Sequence, residues 1–324
     1  MADLPLKLAC WDYDRTRPLI DGRVKPKGID LHVDIMRPQR AFAKLLAPSD
    51  YAVAEMSFSS YIGLKAQPDC PMVAIPVMLS KMFRHDCIYV RRDAGIKTPA
   101  DLKGKRVGTI RYASTGIVYI KGFLQHDFGV LARDISWFIG GLEEPVKSVR
   151  PPNAGPDVEV TLVPETETLD ELMARGEIDA MMVLQLPPSF AAGARHIVRL
   201  FPDYKEVEID YFKRTGIFPV MHTVAIRKTV VDQNPWIAKS LYDAFVAARD
   251  IALSGLYDTD ALHLTLPFLI DHVEETMRIF GRDYFAYGLA PNRKGVDALC
   301  QYLHEQDLTP HRVSPDDLFP PGIE

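Results

Sequence analysis

The 324-residue chain has no apolar run near the roughly 20 residues that a membrane-spanning helix needs, which argues against a span and a membrane partner. It has no basic excess either. Its 38 Lys and Arg stand against 43 Asp and Glu, a net charge of −5, so the footprint of a nucleic-acid binder is missing. Cysteine is sparse. Cys10, Cys70, Cys87 and Cys300 are scattered with no CxxC pair, and read as reduced, mostly buried thiols rather than a disulfide or zinc framework. No GxxxxGK[ST] phosphate cradle occurs, so no nucleotide site is assigned. Internal repeats, low-complexity tracts and coiled-coil heptads are also lacking. The opening MADLPLKLACWDYDRTR has no apolar core of signal-peptide length and turns charged by Asp12, so a cytoplasmic protein is expected.

What is present is an alternation of short apolar strands and helices, in a chain long enough for two domains. Strands are predicted at Leu6–Trp11, Ile29–Ile35, Tyr51–Met56 and Met72–Met78, with a helix from Pro38 between the second and third. Further strands follow at Lys105–Ile110, Ile135–Ile139, Val158–Val163 and Ile178–Leu184, with helices at Ile117–Phe128, Thr168–Arg175 and Pro202–Arg214. Thr168 is the expected cap and Gly176 the stop of the second of these. Pro151–Pro156 reads as a surface loop. A long helix is expected from Asn234-Pro235 through about Tyr257, then helices near Ala261–Phe280 and Arg293–Gln306. The alternation implies an α/β fold with mostly parallel sheets, whose ligands lie beyond the carboxyl ends of the strands.

Two stretches share a pattern. Met82–Arg92 (MFRHDCIYVRR) and Met221–Lys228 (MHTVAIRK) each place a histidine, His85 or His222, at the mouth of an apolar strand with a basic exit. They read as two crossings between two lobes, with substrate between them. A histidine beside a strand is more often simply hydrogen-bonded, and the paired context is what lifts these two above that reading. The polar loop Asp14-Arg15-Thr16-Arg17 and the serines Ser57, Ser59 and Ser60 would share one rim with Arg84 and His85. In the second lobe Arg111, Ser114 and Thr115 stand before a helix N-terminus, where hydroxyls and backbone amides suit an anion. Glu143 and Glu144 lie in a turn, and at least one of them is expected to face solvent.

Several blocks, among them CWDYDRTRPLIDG, EMSFSSY, SKMFRHDCIYV, LQHDFGV, WFIGGLEEP and YFKRTGIFPVMHTVAIRK, resemble the 4,5-dihydroxyphthalate decarboxylases over nearly the whole chain. The resemblance implies the two-lobed type 2 periplasmic-binding-protein-like α/β fold, with two crossover strands and a ligand cleft between the lobes. The expected division is 1–104 with 222–324, and 105–221. It also implies conversion of 4,5-dihydroxyphthalate to 3,4-dihydroxybenzoate and CO2 in a cytoplasmic homo-oligomer. The alternatives are a decarboxylase for a related phthalate-type acid, and a binding protein that holds a small aromatic carboxylate without turning it over.

Ring decarboxylation needs an acid to protonate the carbon that loses CO2, and histidine suits proton transfer near neutral pH. His85 and His222 are therefore the candidate catalytic groups, with Asp14 orienting a histidine or taking a phenol proton. Arg15, Arg17 and Arg84 compete to anchor the carboxylate, with Arg111 as the second lobe's candidate, because a guanidinium binds a carboxylate in bidentate fashion. Ser57, Ser59, Ser60, Ser114 and Thr115 would hydrogen-bond the anion, and Glu143 could face the ligand. His85 with Asp14, or His222 with Glu143, could hold a divalent ion, but no local spacing has ligand character. A reaction without cofactor is expected, with metal dependence as the minor alternative.

Overall fold

The computed structural model describes residues 2–146 and 154–323. The strands in chain order are β1 (Leu4–Cys10), β2 (Ile29–Ile35), β3 (Val53–Ser57), β4 (Met72–Lys81), β5 (Ile88–Arg91), β6 (Arg106–Thr109), β7 (Ser136–Ile139), β8 (Val160–Leu162), β9 (Ala180–Met182), β10 (Ile197–Arg199) and β11 (Val220–Arg227). They form one sheet of order β2-β1-β3-β11-β4 and another of order β10-β5-β9-β6-β7-β8.

The chain divides into two compact units. One comprises Met1–Lys81, Val220–Val296 and Val313–Glu324; the other comprises Met82–Pro219 and Asp297–Arg312. The expected boundaries at 104/105 and 221/222 therefore move. The physical reason is β5, whose edges are taken by β9 and β10 through antiparallel ladders, so the segment after Lys81 belongs with the second sheet. The last long helix, Leu289–Glu305, also passes from one unit to the other at Val296.

In the first unit β1, β2 and β3 run parallel, and β11 enters antiparallel between β3 and β4. The strand β3 (VAEMS) is buried along its whole length, as expected of a central strand covered on both faces. The carboxyl ends of β1, β3 and β4 meet the start of β11 at one edge, which puts the Trp11–Arg17 loop, Ser57, Ser80–Lys81 and Val220–His222 along a common rim. Turn chemistry shapes the loop. The wholly buried Thr16 accepts the Tyr13 amide at 2.9 Å and donates to the Trp11 carbonyl at 2.9 Å.

In the second unit β6 runs parallel to β7 and β9, and β7 parallel to β8, around a core that includes Val107, Ile117, Ile120, Phe123 and Trp137. Thr168 caps its helix through a full capping box with Glu171, and Gly176 ends it in the left-handed conformation at φ +79°, both as the sequence predicts.

The C-terminal helices differ from expectation. Lys228–Gln233 and Ile237–Leu256 are separate helices, so Asn234 ends the first instead of capping the second. The helix expected from Ala261 begins only at Leu269, because Pro267 interrupts the preceding segment. The predicted Pro151–Pro156 loop lies partly outside the described residues.

Candidate active site

The chemistry of the first unit gathers on Glu55. This carboxylate is wholly buried in β3, yet one edge of it reaches the rim. Its Oε2 accepts the Trp11 amide at 3.1 Å, and its Oε1 accepts the Tyr13 hydroxyl at 2.7 Å and lies 2.6 Å from His222 Nδ1. Register explains the last contact. Ser57 pairs with His222 and Glu55 with Val224, so Glu55 and His222 are diagonal neighbours on one face. A carboxylate only accepts, so Nδ1 carries the hydrogen and Nε2 is left as the base or the acid. The imidazole is 19% exposed and its edge meets the Phe42 ring at 5.0 Å.

Tyr13 is held firmly protonated: burial first, then the nearby Glu55 carboxylate, push its phenol well above the usual range. It remains a donor and holds Glu55 through its hydroxyl.

Arg15 is the second organised group on this rim. Its Nε donates to the Leu79 carbonyl at 2.7 Å and its Nη1 to Asp14 Oδ1 at 2.9 Å. Its guanidinium lies over the Tyr13 ring at 4.1 Å and the Phe285 ring at 4.8 Å. A cation held by two rings and two acceptors, with donors remaining, is prepared for a carboxylate. Arg17 is different: it is more than half exposed and ion-paired with Asp12. Ser57 and Ser59 are buried with hydroxyls 3.2 Å apart, whereas Ser60 is exposed. Ser57 stands at the N-cap of helix Phe58–Lys65 but makes no side-chain cap bond.

One expectation is corrected here. Asp14 does not orient His222. Its Oδ1 is engaged by the backbone amide and guanidinium of Arg15, and Glu55 does the orienting instead. The sequence signal for Glu55 is an acidic residue inside the apolar run AVAEMS, a weak one because a buried charge in a central strand is rare.

In the second unit His85 does not stand at a strand mouth. It opens a single 3-10 turn, His85–Cys87, and is 2% exposed. Its ring stacks on Phe123 at 4.1 Å and meets the edges of Tyr211 and Phe201 at 5.2 and 5.6 Å. The backbone amide donates to Glu208 Oε1 at 3.1 Å, while Nδ1 lies 3.6 Å from that oxygen and makes no hydrogen bond. A proton carrier must meet its substrate, and this ring is enclosed by its own unit. The apolar environment of Phe123, Phe201 and Tyr211 could not be read from MFRHDC alone.

Arg84, the preceding residue, takes another direction. Its Nε would lie 3.3 Å from a Cβ at Gly116, in the first turn of helix Thr115–Phe128. Any side chain at Gly116 would also strike Leu184 at 2.7 Å, so glycine is what lets Arg84 lie against this helix end. Thr115 is buried, Ser114 is half-buried at the N-cap, and Arg111 is exposed. Glu143 is exposed on its turn. Among the described residues no three His, Cys, Asp or Glu side chains converge as a metal site.

The NMT1/THI5 like family pattern matches residues 25–135. The 4,5-dihydroxyphthalate decarboxylase of Comamonas testosteroni is 38% identical over 326 residues, 99% of this chain and 98% of that protein. The chain belongs to the 4,5-dihydroxyphthalate decarboxylase family. A second decarboxylase of that name, from Pseudomonas putida, is 38% identical over 66% of the chain and 83% of its own length. Among solved structures, the Escherichia coli periplasmic aliphatic sulphonate binding protein SsuA matches with a TM-score of 0.54 at 13% identity, covering 98% of this chain and 92% of that one. The alkanesulfonate-binding protein of Xanthomonas axonopodis pv. citri matches with a TM-score of 0.52 at 12% identity, covering 98% and 99%. The chain therefore has a periplasmic-binding-protein-like fold, as the sequence blocks imply. The block EMSFSSY, one of those that carry the resemblance to the decarboxylases, contains Glu55, the residue on which the rim is built.

Proposed function

We propose that the chain decarboxylates 4,5-dihydroxyphthalate to 3,4-dihydroxybenzoate, with His222 as the acid that protonates the ring. The observation that carries the residue assignment is the 2.6 Å contact from His222 Nδ1 to the buried Glu55 carboxylate. It fixes one tautomer, leaves Nε2 free of this contact and balances the positive charge once the ring is protonated. Protonated His222 gives its proton to the carbon bearing the departing carboxylate. The hydroxyl para to that carbon donates electron density, the C–C bond breaks, and its electron pair restores the aromatic ring as CO2 leaves. Neutral His222 then takes a proton from solvent. One histidine suffices, since the net reaction consumes one proton.

Arg15 is assigned to the carboxylate that stays, with Ser57 and Ser59 completing the anion contacts of this unit. Arg84, Ser114 and Thr115 supply the second unit's candidate anion contacts, since the start of a 14-residue helix carries partial positive charge. His85, Asp14, Arg17, Ser60, Arg111 and Glu143 drop out of the proposed machinery, being enclosed, already paired or exposed. The reading needs no cofactor.

A homo-oligomer is also proposed. Ala261–Phe268 is exposed throughout, with Leu262, Leu264, Leu266 and Phe268 on it, and self-association would cover such a surface. No helix among the described residues is long and apolar enough to cross a membrane, and a cytoplasmic location remains part of the proposal.

The test is incubation of the purified protein with 4,5-dihydroxyphthalate while CO2 and 3,4-dihydroxybenzoate are measured, with and without a chelator. Release of both, unaffected by chelation, is expected. Tight binding without release would make the chain a binding protein.

A further inference from the structure

Lys81 closes β4 at the same edge as Ser57 and His222, and it is 7% exposed. Burying an ammonium is costly unless oxygens replace its water. Three do so: the Tyr284 carbonyl at 3.3 Å, the Ala286 carbonyl at 3.4 Å and Asn292 Oδ1 at 3.3 Å. Asn292 donates in turn to the Ala286 and Gly288 carbonyls at 2.9 and 2.8 Å. The Asp283–Gly288 turn thus has its carbonyls gathered on two side chains. Gly288, at φ +92°, pins the far end through its amide to the Pro76 carbonyl at 2.8 Å.

What the turn presents is Phe285. Its ring lies 4.7 Å from Lys81 Nζ and 4.8 Å from the Arg15 guanidinium. Another buried lysine shows that such an oxygen cage is not automatic. Lys121 Nζ has no hydrogen-bond acceptor among the described residues and rests on the Tyr112 ring at 3.3 Å.

We propose that Lys81 is the built-in cation of an oxygen cage that holds the Asp283–Gly288 turn against Asn292, so that Phe285 fixes Arg15 for the substrate carboxylate. Lys81 is a positioning residue: it acts through Phe285 and Arg15 and does not touch substrate. The inference rests on the assignment of Arg15 as anchor. Burial lowers the Lys81 ammonium to about 7, with Asp283 opposing the shift and Arg249 and Arg15 adding to it. The cage is therefore charged at acid pH and loses its proton as pH rises through about 7.

The experiment measures kcat and KM for wild type, Lys81→Met, Arg15→Met and the double variant. Lys81→Met is expected to raise KM about tenfold with kcat within about threefold, and the double variant to match Arg15→Met alone. Lys81→Ala should recover affinity in added methylammonium, and Arg15→Met should not. A wild-type KM in Lys81→Met, or effects that multiply in the double variant, would overturn the proposal, as would failure of methylammonium to act. If Arg15→Met leaves KM unchanged, the anchor assignment fails, and the cage is judged in the substrate-free protein. There Lys81→Met and Phe285→Leu must lower the unfolding temperature non-additively, and additive losses would refute it.

Discussion

His222 in one unit and His85 in the other look alike in sequence, each a lone imidazole beside an apolar strand, and their surroundings are opposite. His222 has a carboxylate at 2.6 Å on one nitrogen and a side chain that is 19% exposed. His85 has an aromatic ring stacked at 4.1 Å, 2% exposure and a nitrogen with no hydrogen-bond partner. The same side chain is oriented by a buried carboxylate in one place and enclosed by aromatic rings in the other. A histidine's function follows from what each ring nitrogen meets.

The contrast can be tested by removing its parts in turn. The largest effect is expected for His222→Gln, which keeps polarity but cannot carry the proton. Turnover should fall about 10³-fold with the fold intact by circular dichroism. Glu55→Gln keeps an acceptor near Nδ1 but removes the charge that balances the imidazolium, and kcat should fall about 10²-fold with KM little changed. Arg15→Met should act on the other parameter, raising KM about tenfold while kcat changes less. His85→Phe should leave turnover within about threefold of wild type. Because it removes a buried unsatisfied nitrogen, stability should hold or rise by about 1 kcal/mol in denaturant unfolding.

The smallest effect is a pH slope. Lys81 has its proton affinity lowered from 10.5 to about 7 in the folded chain. Between those values the unfolded chain binds more protons, so the contribution of this group to stability grows as pH rises from about 7 toward 10.5 and is lost on the way down. Wild type should therefore gain stability across that window relative to Lys81→Met. Parallel curves would contradict it.

Much of this architecture was legible because it depends on local chemistry. The strand at Ile29–Ile35, the helix at Pro38, and the Thr168–Gly176 helix with both its cap and its stop follow from alternation, proline and glycine preferences. The positions of His222 near the start of β11 and of Arg15 in the loop after β1 were legible as well, because a polar residue at the end of an apolar strand has few places to go. What stayed hidden depends on pairing across distance in the chain. Glu55 reaches His222 across 167 residues through the β3–β11 register, and Lys81 reaches Asn292 across 211. His85 was misjudged for the same reason: Phe123, Phe201 and Tyr211, which enclose it, come from far along the chain. The engagement of Asp14 is a short-range matter, since its immediate neighbour Arg15 claims Oδ1 through both backbone and side chain.

The most direct measurement is CO2 release from 4,5-dihydroxyphthalate by wild type, His222→Gln and His85→Phe side by side under one set of conditions. Loss of release in His222→Gln with near-normal release in His85→Phe is the predicted result. Normal release without the His222 imidazole, or abolished release in a folded His85→Phe, would contradict the account.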